Sequence, residues 1–217
     1  MPAVVLLSGA EDGDLGPNSG LESRALGSRR ELLAPGRWRW VSQVHSNRVV
    51  VLDPDERCEG READALVTTL PGDPVAVFAA DCALVGLVSP GGVVAAAHVG
   101  WRGLLAGILE ATAAAMRSKG ATDLVAVVGP CIGPECYEFG ADDLRSLEAR
   151  YGSSLCAATS AGRPALDLRA GVHRALESSS IPVLGEEPSC TACGPGWFSW
   201  RARGDTARQA LVVAEAR

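Results

Sequence analysis

Short apolar runs, separated by Gly-, Pro- or charge-rich breaks, set the rhythm of this chain. The first run, in MPAVVLLSGAEDGDLG, has no preceding positive charge and no small-residue cleavage pattern after it, so it reads as a first β-strand and not a signal peptide. Residues 11–36 are polar and Gly-rich, turning helix-like from about 21 to 33. Strands are predicted at 38–43 and 49–52 with His45 between them, and the charged stretch 53–63 reads as a loop. The runs ALVTTL, VAVFAA, LVGLVS and VVAAAH follow, and Pro90-Gly91-Gly92 joins the last two as a hairpin.

The spacing then turns helical over about 103–118 and is closed by Lys119-Gly120. LVAVVG is a strand leading into GPCIGPECYEFG, and helices are predicted at about 141–150 and 167–178. IPVLG is a short strand, and WFSWRARG and ARQALVVAEA form a terminal pair. Hairpins interleaved with helices predict an α/β protein with mixed sheets, not a regular βαβ repeat. A length of 217 residues suffices for one sizeable core, and no internal repeat is present.

Hydrophobic residues make up 47% and charged residues 21%, the balance of a globular chain. A net charge of −6 with no block of Lys or Arg argues against nucleic acid and anionic membranes as partners, while leaving small anions possible. No stretch approaches the roughly 18 apolar residues of a membrane span, and the expected location is the cytoplasm. The cysteines at 58, 82, 131, 136, 156, 190 and 193 form an odd set without a regular framework, as expected of thiols in a reducing compartment. Cys190-Thr191-Ala192-Cys193 has CxxC spacing but no second CxxC, and Cys131 and Cys136 are too widely spaced for the usual knuckle. Cys190 and Cys193 are therefore expected to be reduced and non-ligating, with Cys82 the functional cysteine.

Three polar residues close apolar runs: His45 after WVSQV, Cys82 after VAVFAAD and His98 after VVAAA. Strand ends gathered on one rim of a sheet are where α/β proteins place ligand sites. Two imidazoles and a thiolate suit tetrahedral zinc, with the fourth position open to water. The same residue types equally suit a capped histidine and a packed, inert thiol. Arg102, in Gly100-Trp101-Arg102-Gly103 at a predicted helix start, suits an anion. Its alternative is a surface arginine stacked on Trp101. His173 falls on a predicted helix and reads as structural or solvent-facing.

QVH (43–45), ADALVT (63–68), ADC (80–82), AHVGWRG (97–103), GPCIGPECYEFG (129–140) and CT…FSWRARGDTARQA (190–210) occur in this order. Together they resemble the laccase-domain family, also called YfiH-like or polyphenol oxidase family, which includes purine nucleoside phosphorylases. The resemblance implies a single laccase domain over 1–217, an α/β layered α/β/β/α sandwich with mixed β-sheets. It implies a metal set of His45, Cys82 and His98, usually described with zinc, with copper claimed for some members. It further implies phosphorolysis of adenosine, inosine, guanosine and S-methyl-5′-thioadenosine, together with adenosine deamination. The partners would be a purine nucleoside and phosphate, the state monomer or homodimer.

On this reading Cys82 and His98 are catalytic, Asp81 is the first candidate to shuttle protons and Asp64 the second. Arg102, Gln43, Arg29 and Arg201 are the substrate-binding candidates. Four places depart from the family pattern: Ala83-Leu84-Val85 follows ADC in place of a small residue and proline, the N-terminal Asn-Leu-Gly and Gly-Asp-Asp segments are barely recognisable in GPNSGLESRALGSRREL, Ser28-Arg29 stands for an Asn-Arg pair, and Ala207-Arg208 for Gly-Arg. The rival readings are a cysteine hydrolase editing peptidoglycan precursors, with Cys82 as nucleophile and His98 as base; a copper-dependent phenol oxidase, against which three histidines speak; and a non-catalytic scaffold.

Overall fold

The computed structural model describes residues 3–52, 57–69 and 72–215. In chain order β1 (Ala3–Leu7) is followed by α1 (Ser23–Leu33), β2 (Val49–Val51), β3 (Ala65–Thr68), β4 (Val75–Ala79), β5 (Ala83–Val88) and β6 (Val94–Val99). Then come α2 (Trp101–Ala106), α3 (Ile108–Ser118), β7 (Val125–Val128), α4 (Ala141–Tyr151), β8 (Cys156–Ala158) and β9 (Pro164–Leu166). α5 (Leu168–Ser178), β10 (Val183–Glu186), α6 (Trp200–Arg203) and β11 (Gln209–Glu215) complete the order.

Two sheets stack between two helical layers. The larger runs β10-β7-β5-β6-β3-β2 and mixes parallel with antiparallel pairs; the smaller runs β1-β11-β4 and is antiparallel. Strand alternation sorts the side chains between layers. Ala65 and Val67 of β3 and Val85 and Leu87 of β5 face the core beneath α2–α5, while Leu66 and Leu84 face the second sheet. Val75, Val77, Leu211 and Val213 meet them there; Ala76, Phe78, Ala210 and Val212 turn outward to pack with Leu15 and Trp38. Leu33 and Ala34, at the end of α1, cover that outer face. The result is the α/β/β/α sandwich that the family resemblance implies, with the mixed sheet that the pattern of hairpins and helices predicts. At Gly86 the sheets come so close that a Cβ would lie 3.0 Å from Val5 and 3.1 Å from Val213.

Several elements differ from expectation. The predicted helix over 103–118 is two helices, broken at Gly107, whose left-handed φ of 85° caps α2 and opens α3. WFSWRARG is not a strand: Ser199 accepts from the Ala202 N–H and caps the short α6. Segment 38–43 makes isolated bridges, Arg39 to Val75 and Ser42 to Glu62, in place of a strand. Part of the predicted loop at 53–63, residues 53–56, lies outside the described residues, as do residues 70–71 after β3.

Candidate functional site

β4 belongs to the small sheet and β5 to the large one, so Ala80-Asp81-Cys82 crosses from one sheet to the other. The crossing is tight. Asp81 has φ of 94°, costly for a residue with a Cβ. It is held from both sides: the Thr191 hydroxyl donates to Oδ1 at 2.7 Å and the Arg201 N–H to Oδ2 at 2.7 Å. The turn presents the half-buried Cys82 toward His98, near the end of β6, and toward His45, in the loop before β2. His45 itself has φ of 59°.

Asp64 fixes both histidines. It is fully buried, and Oδ1 accepts from the His45 N–H at 2.9 Å and pairs with His98 Nδ1 at 2.9 Å. Oδ2 accepts from Ser46 N at 2.6 Å and Ser46 Oγ at 2.7 Å. His98 is thereby left with Nε2 facing Cys82, the arrangement in which a carboxylate sets the tautomer of a metal-ligating imidazole. One donor atom from each of His45, Cys82 and His98 lies within 4.8 Å of the others, and His45 Nε2 is 3.7 Å from Cys82 Sγ. Tetrahedral N/S coordination of a zinc-sized ion requires donor separations of about 3.3–3.6 Å, so the three residues fit such an ion with small shifts. Gly100 makes the room: a Cβ there would lie 2.5 Å from His45 Cδ2 and 3.1 Å from Cys82 Sγ.

The charges reinforce one another. Burial alone would raise the Cys82 thiol, but the His98 charge and the bond to His45 outweigh it and bring it down to about 6. Burial likewise disfavours a charged His98, yet Cys82 and Asp64 raise it to about 9. Asp64 falls to about 2, because its bonds to His98 and Ser46 exceed the cost of burial. Each shift thus favours the charged form of its group, and the juxtaposed thiol, imidazole and carboxylate are the donor types that suit a cation.

The cluster opens into a cavity of about 820 Å³, within the usual range for a small-molecule site. Trp40, Phe78, Tyr137 and Trp200 supply aromatic lining, and Arg201 and Arg208 supply cationic lining. Arg201 lies over the Tyr137 ring at 5.2 Å, and burial pushes the Tyr137 hydroxyl upward.

A family model described as multi-copper polyphenol oxidoreductase laccase matches residues 13–215. The chain belongs to this laccase family. A relative from Streptomyces coelicolor, named purine nucleoside phosphorylase, is 38% identical over 94% of this chain and 88% of its own. One from Mycobacterium tuberculosis, with the same name, is 34% identical over 92% of this chain and 83% of its own. The crystal structure of YlmD from Geobacillus stearothermophilus superposes with a TM-score of 0.86 at 26% identity, covering 99% of this chain and 92% of that one.

Within this laccase-family fold the candidate residues part company. Cys82, His98, His45 and Asp81 line the cavity, whereas Asp64 stands behind His98. Arg201 lines the cavity, but Arg102 does not: it is exposed and stacks on Trp101 at 4.3 Å, the alternative left open by the sequence. Gln43 borders the cavity with its amide spent on Phe78, donating to its carbonyl at 2.7 Å and accepting from its N–H at 2.8 Å. Arg29 is an exposed residue of α1 whose guanidinium lies against Gly13. His173 pairs with Glu186 at 3.2 Å, away from the site. Arg208, marked in the sequence by Ala207-Arg208 and there the fallback phosphate site with Arg201 and Arg203, adds to the cationic lining. A second group, Glu135, Cys136, Cys190 and Cys193, also converges to within 4.8 Å. CxxC spacing alone did not reveal it, because Glu135 and Cys136 arrive from a distant loop.

Proposed function

We propose that this chain is a zinc-dependent purine nucleoside phosphorylase acting on adenosine, inosine, guanosine and S-methyl-5′-thioadenosine, with adenosine deamination as a second reaction of the same centre. The names of its relatives support the reaction class. The observation that carries the reading is that one cavity is lined both by His45, Cys82 and His98 and by Arg201 and Arg208. Zinc held by the first three would supply a Lewis acid and an acidified water.

In phosphorolysis a phosphate oxygen forms a bond to C1′ as the bond from C1′ to the purine nitrogen breaks; the purine leaves with the electron pair and takes up a proton. Arg201 and Arg208 hold the phosphate dianion by charge-assisted bonds. Trp40, Phe78, Tyr137 and Trp200 offer flat apolar faces to the base and exclude water from the sugar. The phosphate-binding role given by sequence to Arg102 passes to Arg201 and Arg208, which line the cavity. Asp64 acts as a positioning residue, because its oxygens are committed to His98 and the 44–46 backbone. Asp81 remains the candidate proton carrier for deamination: each of its oxygens accepts one bond and retains a lone pair.

The test is product analysis on zinc-loaded protein over a nucleoside panel, with and without phosphate. Phosphate-dependent release of free base with ribose 1-phosphate is expected; no phosphate-dependent release from any purine nucleoside refutes the reading. The lowered Cys82 thiol beside a raised His98 favours one second reading, a cysteine hydrolase. Its activity would survive removal of zinc, whereas phosphorolysis would not.

A further inference from the structure

GPCIGPEC and the CTAC turn are far apart in sequence but adjacent in space. Cys131 and Cys190 form a parallel bridge, and the Thr191 N–H donates to the Cys131 carbonyl at 3.1 Å. Pro134–Cys136 makes a single 3-10 turn that delivers Glu135 and Cys136, and the Cys193 N–H closes the CTAC turn on the Cys190 carbonyl at 3.3 Å. Cys136 Sγ and Cys193 Sγ lie 3.5 Å apart, and Cys193 Sγ is 3.1 Å from Glu135 Oε1. The Gly133 N–H points at Cys190 Sγ from 3.1 Å, a contact suited to a thiolate. The missing side chain of Gly133 matters as well. A Cβ there would lie 2.4 Å from both Glu135 oxygens, so its absence leaves the space in which the carboxylate folds back over the sulfurs.

We propose that Cys136, Cys190, Cys193 and Glu135 form a second metal site, a structural zinc site separate from the His45–Cys82–His98 centre. Tetrahedral coordination by three sulfurs and one carboxylate oxygen requires donor separations of about 3.6–3.8 Å, and the four donors lie within 4.8 Å of one another. Binding replaces the thiol protons: three thiols and one carboxylate take up the dication, release three protons and leave a net charge of −2. The Gly133 N–H and the nearby Arg169 guanidinium offset that charge. Four protein ligands close the coordination shell, which is the mark of a structural rather than a catalytic ion.

The site has a mechanical role. Cys136 directly precedes Tyr137, and Cys190 directly precedes Thr191, whose hydroxyl holds Asp81 at 2.7 Å. The bound ion would fasten the Tyr137 loop to the segment that carries Trp200 and Arg201, fixing two sides of the cavity relative to Cys82. The proposal stands on these residues alone and is independent of the reaction assigned to the cavity.

Metal analysis of the 217-residue chain tests it. After zinc loading and removal of excess, wild type should retain two ions per chain, Cys193→Ser one, and His45→Ala/Cys82→Ser one. In the His45→Ala/Cys82→Ser background, cobalt(II) should give an intense near-ultraviolet sulfur-to-metal band that disappears when Cys193→Ser is added. If Cys193→Ser fails to fold by circular dichroism, the cobalt band in the double variant decides. One ion in wild type with no loss in Cys193→Ser overturns the site, as does a cobalt spectrum without thiolate bands. A Cys136–Cys193 disulfide that persists in the isolated protein, with no second ion taken up after reduction, assigns the pair to redox chemistry and also overturns it.

Discussion

Replacing Asp64 by Asn keeps the size of the side chain and exchanges one acceptor oxygen for an NH2. The Asn oxygen is best kept where Oδ2 lies, against Ser46 N at 2.6 Å, Ser46 Oγ at 2.7 Å and Val44 N at 3.3 Å. The NH2 then replaces Oδ1 and confronts the His45 N–H, donor against donor at 2.9 Å. It also donates to His98 Nδ1, which forces the ring proton onto Nε2, the atom that must be bare to ligate a metal. An unsatisfied N–H and the lost charge-assisted bond cost about 2–4 kcal/mol together. For a chain of this length that lowers Tm by roughly 4–16 °C. Loss of the orienting carboxylate should weaken zinc binding about 10- to 100-fold. Melts in excess chelator read the first effect, and competition against a chromophoric chelator reads the second. The pH dependence has a definite sign. Asp64 is depressed to about 2, so its contribution is present above its unfolded value of 3.8 and is lost as pH falls from there through 2. The Asn variant should therefore lose less stability than wild type over that interval. A Tm within 1 °C of wild type, together with zinc affinity within twofold, would refute the reasoning.

Gly100→Ala should cost zinc affinity at least about tenfold with little change in Tm, because the new Cβ displaces the exposed His45 side chain and leaves the core untouched; unchanged affinity by chelator competition would show that His45 does not ligate. Arg201→Ala should raise the phosphate KM roughly 10- to 150-fold, the worth of one charge-assisted contact, while Arg102→Ala should stay within twofold; the reverse order in steady-state kinetics would return the phosphate to the α2 end. In metal-free protein, alkylation of Cys82 should reach half its maximal rate near pH 6 and stay at plateau above, since its thiol is lowered to about 6, whereas Cys131, pushed up to about 12, stays unmodified at pH 8 by peptide mass. A midpoint near 9 would mean that Cys82 and His98 are not paired.

Most strands of the two stacked sheets were legible because each apolar run is short and bounded by turn residues, whereas the short β8 and β9 carried no such run and were missed. The three candidate ligands were legible because each stands where an apolar run ends: His98 directly after VVAAA, Cys82 one residue beyond VAVFAA and His45 after WVSQV. The break at Gly107 was not, since helical spacing runs on through Leu104, Ile108 and Leu109, all buried, while only the left-handed backbone reveals the joint. WFSWRARG reads as a strand by its aromatics, yet its backbone N–H at Arg201 goes to Asp81, a partner 120 residues away. Arg102 follows a local rule about helix starts, but stacking on Trp101 decides where it points. No local pattern ties Cys136 to Cys193, because the fold alone brings Gly133 beneath Cys190.

β11 lies in the middle of the small sheet, between β1 and β4. As the chain emerges from the ribosome, β1 therefore has no strand partner, and β4 only its bridge from Val75 to Arg39, until residues 209–215 are made. The larger sheet is under no such delay, for β2, β3, β5 and β6 pair among themselves within residues 49–99. Asp64, Cys82 and His98 can meet once residues up to 99 are made, while the α6 residues Trp200 and Arg201, and Arg208, reach the cavity only some hundred residues later. The nascent chain would then hold its candidate metal ligands Cys82 and His98 in place before the far side of the cavity exists.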